Sequence, residues 1–249
     1  DAAKPAIQNL IKCCELAGIA IDDWTSGALA AANVLLTKEQ KELGAMLLDL
    51  GGGTTDFAIF EEGRVLDVGS FPIGGSHITS DIAIGLRTPV AIAEEVKLRY
   101  AQASVGERSA KRETVALASF GGNDRDVFAV GDLMDIVIAR LTDIFELATK
   151  ALRRVGRAGL LPGGVVLTGG VADIPGIQEL ARRELKLPVE VAKAVTLDEF
   201  DDVVPPRLAI PLGLVLWRRD ESARTFRASR SMWQNVGEAV KRMLRAFVP

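Results

Sequence analysis

The chain is poor in the residues that most catalytic and metal chemistry needs. It has one histidine, His77, which excludes a multi-histidine metal site and leaves a single imidazole for any general-base role. Its two cysteines, Cys13 and Cys14, are adjacent, so they form no ordinary structural disulfide with each other and no zinc-binding pairs. Aromatic residues make up 5% of the chain, with one tyrosine. No apolar run approaches the ~18 residues of a membrane span, and no signal-peptide pattern opens the sequence. The expected setting is reducing and cytoplasmic.

What remains is rich in Val, Ile, Leu and Ala, with 24 glycines and 48% apolar residues, a composition that leans toward an α/β fold. The 249 residues allow one large domain or two modest ones. The sequence opens on Asp1 rather than Met, so a piece of a longer protein is expected. The net charge of −3 hides a split: residues 218–249 carry +5 and the rest −8. An acidic body with a basic tail points to a separate partner for the tail.

Hydrophobic spacing predicts helices over 5–17 and 27–36, a polar loop over 38–42, and then a change of period. Residues 45–50, 55–60 and 64–73 read as three strands in a meander. Helices follow at about 77–86 and, from Thr88 and Pro89, to about 103. Residues 104–131 look irregular, with weak strands near 113–118 and 126–130. Asp132 is expected to cap a long helix to about 155, with Leu133, Val137, Leu141, Ile144, Ala148, Leu152 and Val155 on its apolar face. Strands at 163–168 and 188–191 flank a helix at 176–184. Residues 193–206 read as loop, 208–217 as an apolar helix and 218–231 as a polar linker. Cys13 or Cys14 is expected to pack in the core, and His77 to cap or pack at its helix start.

Two glycine turns stand out. LLDLGGGTTDF (47–57) sets Gly51, Gly52 and Gly53 between two strands. Successive N–H groups in such a turn point into one concavity and suit an anion, phosphate above all. Thr54 and Thr55 add hydroxyls. Asp49 ends an otherwise buried strand, and a buried carboxylate needs a partner such as a hydrated Mg²⁺. VVLTGG (165–170) ends a second strand on Gly169 and Gly170. Either turn alone can simply reverse the chain; two such units together resemble two walls of a nucleotide cleft. Glu94 and Lys97 share a helical face three residues apart, as a solvated ion pair also would.

The last segment returns to helical spacing. Met232, Trp233, Val236, Val240, Met243, Leu244 and Phe247 fall on one side, opposite Lys241, Arg242 and Arg245. An apolar stripe with Trp and Phe facing cations describes a helix lying in a membrane interface, attracted to anionic lipid.

The glycine motifs resemble the second phosphate motif and the adenosine motif of the actin/Hsp70/sugar-kinase superfamily. KELGAMLLDLGGGTTD (41–56) and VGSFPIGGSHITSDIAIGLRTPVAIAEEVKLRYA (68–101) resemble, over their whole length, the bacterial cell-division family FtsA. The resemblance covers about residues 5–217. It implies an actin-like, ribonuclease H-like lobe with a mixed sheet and flanking helices. Residues 45–86 and 160–205 would form its core subdomain and 87–159 a smaller inserted one. Residues 1–44 and 206–217 would belong with the first lobe, and a linker (218–231) would lead to a membrane-targeting helix (232–249).

The resemblance also implies ATP and Mg²⁺ as cofactors. Gly51, Gly52, Gly53, Thr54 and Thr55 would cradle phosphates, and Asp49 would serve the metal or a water. Glu94 and Lys97 would reach the ribose or adenine, with Gly169 and Gly170 against the adenosine. The implied partners are the FtsZ C-terminal peptide, further copies of the chain in a filament, anionic lipids of the inner membrane's cytoplasmic face at the division site, and other division proteins; nucleic acid is not among them. Arg140, Lys150, Arg153 and Arg154 are candidate contacts for an acidic peptide. The superfamily's first phosphate loop and the subdomain peculiar to FtsA are expected to precede Asp1. Gly27 stands where many relatives carry an acid or amide near the attacking water. At most a weak ATPase is therefore expected. A pilus-assembly scaffold of the PilM type and a kinase of the same superfamily are the competing readings.

Overall fold

The structure, a computed structural model, describes residues 4–21, 23–104, 113–121, 127–197 and 202–225. The first half runs α1 (Lys4–Leu16), α2 (Gly27–Leu35), α3 (Lys38–Leu43), β1 (Ala45–Leu50), β2 (Thr55–Glu61), β3 (Arg64–Phe71), α4 (Gly75–Gly85) and α5 (Val90–Tyr100). The second runs β4 (Thr114–Ala116), β5 (Val127–Ala129), α6 (Val130–Arg154), β6 (Val165–Thr168), α7 (Ile177–Leu185), β7 (Val189–Val191), β8 (Val195–Leu197), β9 (Asp202–Val204) and α8 (Ala209–Thr225).

One five-stranded sheet, ordered β3-β2-β1-β6-β7, carries the fold. β1, β2 and β3 pair antiparallel as the expected meander, while β6 and β7 continue from β1 in parallel. The near-continuous apolar runs of β1 and β6 follow from burial on both faces. Met46, Leu48, Leu50, Phe57 and Ile59 join Leu141, Ile144 and Phe145 of α6 in the larger core. Ala45, Leu47, Ala58, Phe60 and Val166 face α2 and α8 in a smaller one. That second layer is thin because its helices are small-residue helices in close contact: a Cβ on Gly213 of α8 would stand 1.9 Å from the Ala30 carbonyl of α2.

Most expected elements are present, and the exceptions have physical causes. The stretch expected as a polar loop forms α3, which a capping box starts: Gln40 N–H donates to Thr37 Oγ1 (3.1 Å) and Thr37 N–H to Gln40 Oε1 (2.9 Å). The loop expected at 193–206 contains the β8–β9 hairpin. α8 runs on to Thr225, through the first eight residues expected as linker; Arg, Glu and Ala are good helix formers, and propensity outweighs the lack of apolar residues there. α6 starts two residues before Asp132, directly from β5, leaving Asp132 in the first turn. Its expected apolar face is buried from Leu133 to Leu152. Neither cysteine is in the core: Cys13 is exposed and Cys14 partly covered, on a helix whose Leu10 and Leu16 are also exposed. The amphipathic helix expected at 232–248 lies outside the described residues.

Arginines pin α6 and the turn after it. Arg140 grips Asp81 of α4 with two bonds (2.6 and 2.9 Å), Arg154 binds Asp67 of β3, and Arg157 forks onto Glu61 of β2 (2.6 and 2.7 Å). Of the candidate peptide-binding cations, Arg140 and Arg154 are thus engaged, whereas Lys150 and Arg153 are exposed.

Both sheet edges are blocked by side chains. At β7 the Val189 carbonyl accepts from Gln178 Nε2 (2.8 Å) and Arg182 Nη2 (2.9 Å). At β3 Asp67 Oδ1 accepts the Val68 N–H (2.9 Å). The β3 edge spans eight residues and exposes Val65, Leu66 and Val68, which without that carboxylate is a template for pairing with another chain. Asp67→Ala is expected to self-associate in nucleotide-free buffer, seen by size-exclusion chromatography with light scattering. Its melting point should move little, because an exposed ion pair is worth about 0–1 kcal/mol. Elution identical to wild type up to high concentration would refute the edge-blocking role.

Candidate functional site

The glycine hairpin between β1 and β2 closes with a hydrogen bond from Gly51 N–H to the Thr54 carbonyl (2.9 Å). Its carbonyls then turn to the start of α4. Gly51 O accepts from Gly75 N–H (2.9 Å), and Gly52 O accepts from both Ser76 N–H (2.8 Å) and Ser76 Oγ (2.6 Å). Only a glycine fits at 74, where a Cβ would lie 2.5 Å from the Gly51 carbonyl. His77 completes the cap as expected: Gly74 N–H donates to its Nδ1 (3.1 Å). The opening N–H groups of α4, which at a helix start would suit an anion, are therefore spent on the hairpin. The hairpin's own N–H groups at Gly52, Gly53 and Thr54 have no protein acceptor among the described residues. Gly52, Gly53 and Thr54 are exposed.

Beside this hairpin opens a cleft of about 510 Å³. Gly51, Gly52, Gly75 and Ser76 form one wall, Glu94, Lys97, Leu98 and Ala101 another, and the segment from Gly170 to Pro175 the third. Of the residues predicted from sequence, the cleft brings together Gly51, Gly52, Glu94, Lys97 and Gly170. Gly53 and Thr54 sit at the exposed hairpin tip. Gly169 supports rather than lines: at φ 88°, a Cβ on it would meet Asp49 Oδ1 and the Leu50 carbonyl at 2.5 Å. Thr55 takes a different role from the one expected. It is fully buried and its hydroxyl donates to the Ile73 carbonyl (2.8 Å), so it pins β2 to the segment before α4 instead of facing a ligand.

Glu94 and Lys97 form a salt bridge of 2.7 Å, but as part of a half-buried network rather than a solvated pair. Lys97, with only 13% of its side chain exposed, also donates to Thr79 Oγ1 (2.8 Å) and the Gly75 carbonyl (3.2 Å). Those three bonds use every donor that an ammonium has. Thr79, one turn into α4 and buried, also lies within hydrogen-bond reach of Glu94 Oε2. Burial pushes the Glu94 carboxyl up, yet the bonds from Lys97 and Thr79 and the charge of Lys97 prevail and hold it below its usual value. Glu94 remains the more exposed partner and faces the cleft.

Asp49 lies beneath Gly169, paired across the ladder with Asp56. Burial first, and the Asp56 charge second, raise its pKa. Asp56 in turn accepts a hydrogen bond from Ser70 Oγ. Thr79, Ser76 and Asp56 are absent from the sequence reading. Asp56 was within reach: once 50 and 55 are paired across a hairpin, 49 and 56 must oppose each other.

A carboxyl whose folded pKa is raised holds its proton more tightly folded than unfolded. Ionised Asp49 therefore weakens the fold above that pKa, and the penalty fades as pH falls through it. Asp49→Asn should raise the melting temperature at pH 7–8, with the gain shrinking to nothing near the ordinary carboxylate range of about pH 4. A thermal-melt series across pH checks this; a loss of stability at pH 7–8 would contradict it.

The sheet order, the two glycine turns and the cleft between them define an actin-like fold. Solved structures agree. MreB5 of Spiroplasma citri bound to ADP superposes with a TM-score of 0.71 at 18% identity, covering 90% of this chain and 69% of that one. A PilM–PilN type IV pilus biogenesis complex gives a TM-score of 0.61 at 19% identity, covering 85% and 57%. A family model for the cell division protein FtsA matches residues 46–213. The chain is 38% identical to FtsA of Pseudomonas aeruginosa over 213 residues, covering 85% of this chain and 51% of that protein. It is 40% identical to FtsA of Bacillus subtilis over 213 residues, covering 86% and 47%. The chain belongs to the FtsA family, and it spans about half the length of these curated relatives.

Proposed function

We propose that this chain is the nucleotide-binding part of a cell-division scaffold, which binds ATP with Mg²⁺ in the cleft and uses it for assembly rather than rapid turnover. The observation that carries the reading is the convergence on one cleft of the glycine hairpin, the Glu94–Lys97 pair and the Gly170 turn, in a chain of the FtsA family. The residues suit the ligand. A Cβ at Gly52, Gly53 or Gly170 would meet nothing within 4 Å, so phosphate oxygens have open access to the backbone there. Leu98, Val171 and Ile174 give an apolar seat for a base. Glu94, an acceptor at the cleft, suits ribose hydroxyls. Asp49 and Asp56 form a paired carboxylate set beside the hairpin, matching a hydrated Mg²⁺. Bound Mg²⁺ would neutralise phosphate charge; the chain's part is to hold the nucleotide and shield one side of it.

In this reading residues 45–86 and 160–205 form the core subdomain and 87–159 the smaller one. Gly27 begins α2 against Ile210, where its Cβ would lie 3.3 Å from Cδ1, a packing position rather than one that orients water. That favours weak hydrolysis at most. The scaffold's contacts are further copies of the chain, the FtsZ C-terminal peptide and other division proteins. Its anchor is the stretch from Met232 to Phe247, on anionic lipid at the inner membrane's cytoplasmic face. A single anchor of this kind binds weakly, and assembly multiplies it by avidity.

Fluorescent ATP titration of the 249-residue chain should show binding that is tighter with Mg²⁺ than with EDTA. Asp49→Ala should remove that difference. Equal affinity for both variants in both buffers would rule out the metal assignment, and no binding to wild type would rule out the cleft. For the anchor, wild type should co-sediment with vesicles containing anionic lipid, and Trp233→Glu/Phe247→Glu should stay in the supernatant. Equal pelleting would remove the tail from the reading.

A further inference from the structure

The hairpin's usefulness to an anion depends on which way two peptide planes face. No peptide bond in the described chain is cis. In a trans peptide the C=O of one residue and the N–H of the next point in opposite directions. The Gly51 carbonyl is held by Gly75 N–H and the Gly52 carbonyl by Ser76 N–H and Oγ. The N–H of Gly52 must then point away from Gly75, and that of Gly53 away from Ser76, where neither meets a protein acceptor among the described residues. Glycine has no side chain to hold a plane in place, so a free Gly-Gly-Gly turn would sample both orientations of each.

We infer that Ser76 is a positioning residue for the phosphate cradle: by binding the Gly52 carbonyl twice, it keeps the Gly52–Gly53 peptide turned so that the Gly53 N–H faces the ligand. The inference rests on the nucleotide reading above and adds a specific residue to it. Ser76 is exposed, and its Oγ gives the shortest bond at the hairpin, 2.6 Å. A helix cap alone does not account for that bond. The Ser76 hydroxyl donates to a carbonyl of another element, whereas a capping side chain accepts from its own helix's N–H groups. The His77 ring already caps α4 through Gly74.

Ser76→Ala keeps the backbone N–H bond and removes the hydroxyl one. The loop should then lose part of its preset orientation and with it a share of the charge-assisted bonds to phosphate, lowering affinity for ATP and ADP by about three- to ten-fold. Adenosine, which lacks phosphates, should bind Ser76→Ala and wild type alike. Ser76→Thr, which keeps the hydroxyl, should restore most of the loss. Isothermal titration of the three chains with ATP, ADP and adenosine reads this directly. In the ¹⁵N–¹H spectrum, inorganic pyrophosphate should shift the Gly53 amide of wild type more than that of Ser76→Ala. Equal loss for adenosine and ATP would mean a general packing defect and overturn the inference. So would unchanged ATP affinity in a wild type that binds it. Failure of wild type to bind any of the probes would instead overturn the nucleotide reading, and this inference with it.

Discussion

The exchange of hydrogen bonds between the hairpin carbonyls and the first turn of α4 is the constraint on which the cleft depends. A glycine triplet gains nothing from its own side chains, and an opening helix turn leaves N–H groups without partners. Each solves the other's problem. The contact needs the two backbones within hydrogen-bond distance, which is why Gly74 and Gly75 precede Ser76: a Cβ at 74 would collide with the Gly51 carbonyl, and one at 75 would stand 3.0 Å from Val171. Once the first turn of α4 is fixed to the hairpin, Thr79 is fixed one turn later. Thr79 and the Gly75 carbonyl then hold Lys97, and Lys97 holds Glu94. The hairpin wall and the Glu94–Lys97 wall of the cleft are thus set relative to each other by one continuous chain of bonds.

Asp49 shows the opposite side of the same design. Its strand is buried, its neighbour on β2 is another acid, and the Gly169 backbone packs close to it just past β6. None of this favours a charged carboxylate, and burial together with the Asp56 charge raises its pKa. Packing alone would place an apolar residue there, as at Leu48 and Leu50 on either side. An acid held against the preference of its surroundings is what the cation-binding role proposed above would require.

The sheet and both glycine turns were legible in the sequence because their signals are local: apolar runs of strand length, ended by glycine. So was α6, whose long apolar stripe matches its buried face from Leu133 to Leu152. What escaped depends on pairing between distant segments. Thr55 reads as a loop hydroxyl until β3 places the Ile73 carbonyl beside it. Thr79 and Ser76 read as ordinary helix residues until the hairpin and α5 pack against them. Arg140 and Arg154 read as free cations until Asp81 and Asp67 meet them. The difference at α3 is of another kind, since Thr37 and Gln40 spell a capping box in plain order; there, the polarity of 38–42 reads as a loop. The cysteines mislead because α1 has an apolar stripe that the described body does not cover.

The three arginine contacts of α6 and the turn after it bear on how a ligand could be sensed at a distance. Individually such pairs add little stability. Their placement matters more, since they lie on α4, β3 and β2 in turn. α6 begins beside the β4–β5 hairpin, in the part proposed as the smaller subdomain, and ends on the core sheet. A rotation of that part about the cleft would carry α4 with it through Arg140–Asp81. α4 is the helix whose first turn holds the glycine hairpin. The hairpin and α6 are thus joined through α4 and one bidentate pair. Under the assembly reading proposed above, this bonded path is the one that would couple the cleft to the surface of the smaller part.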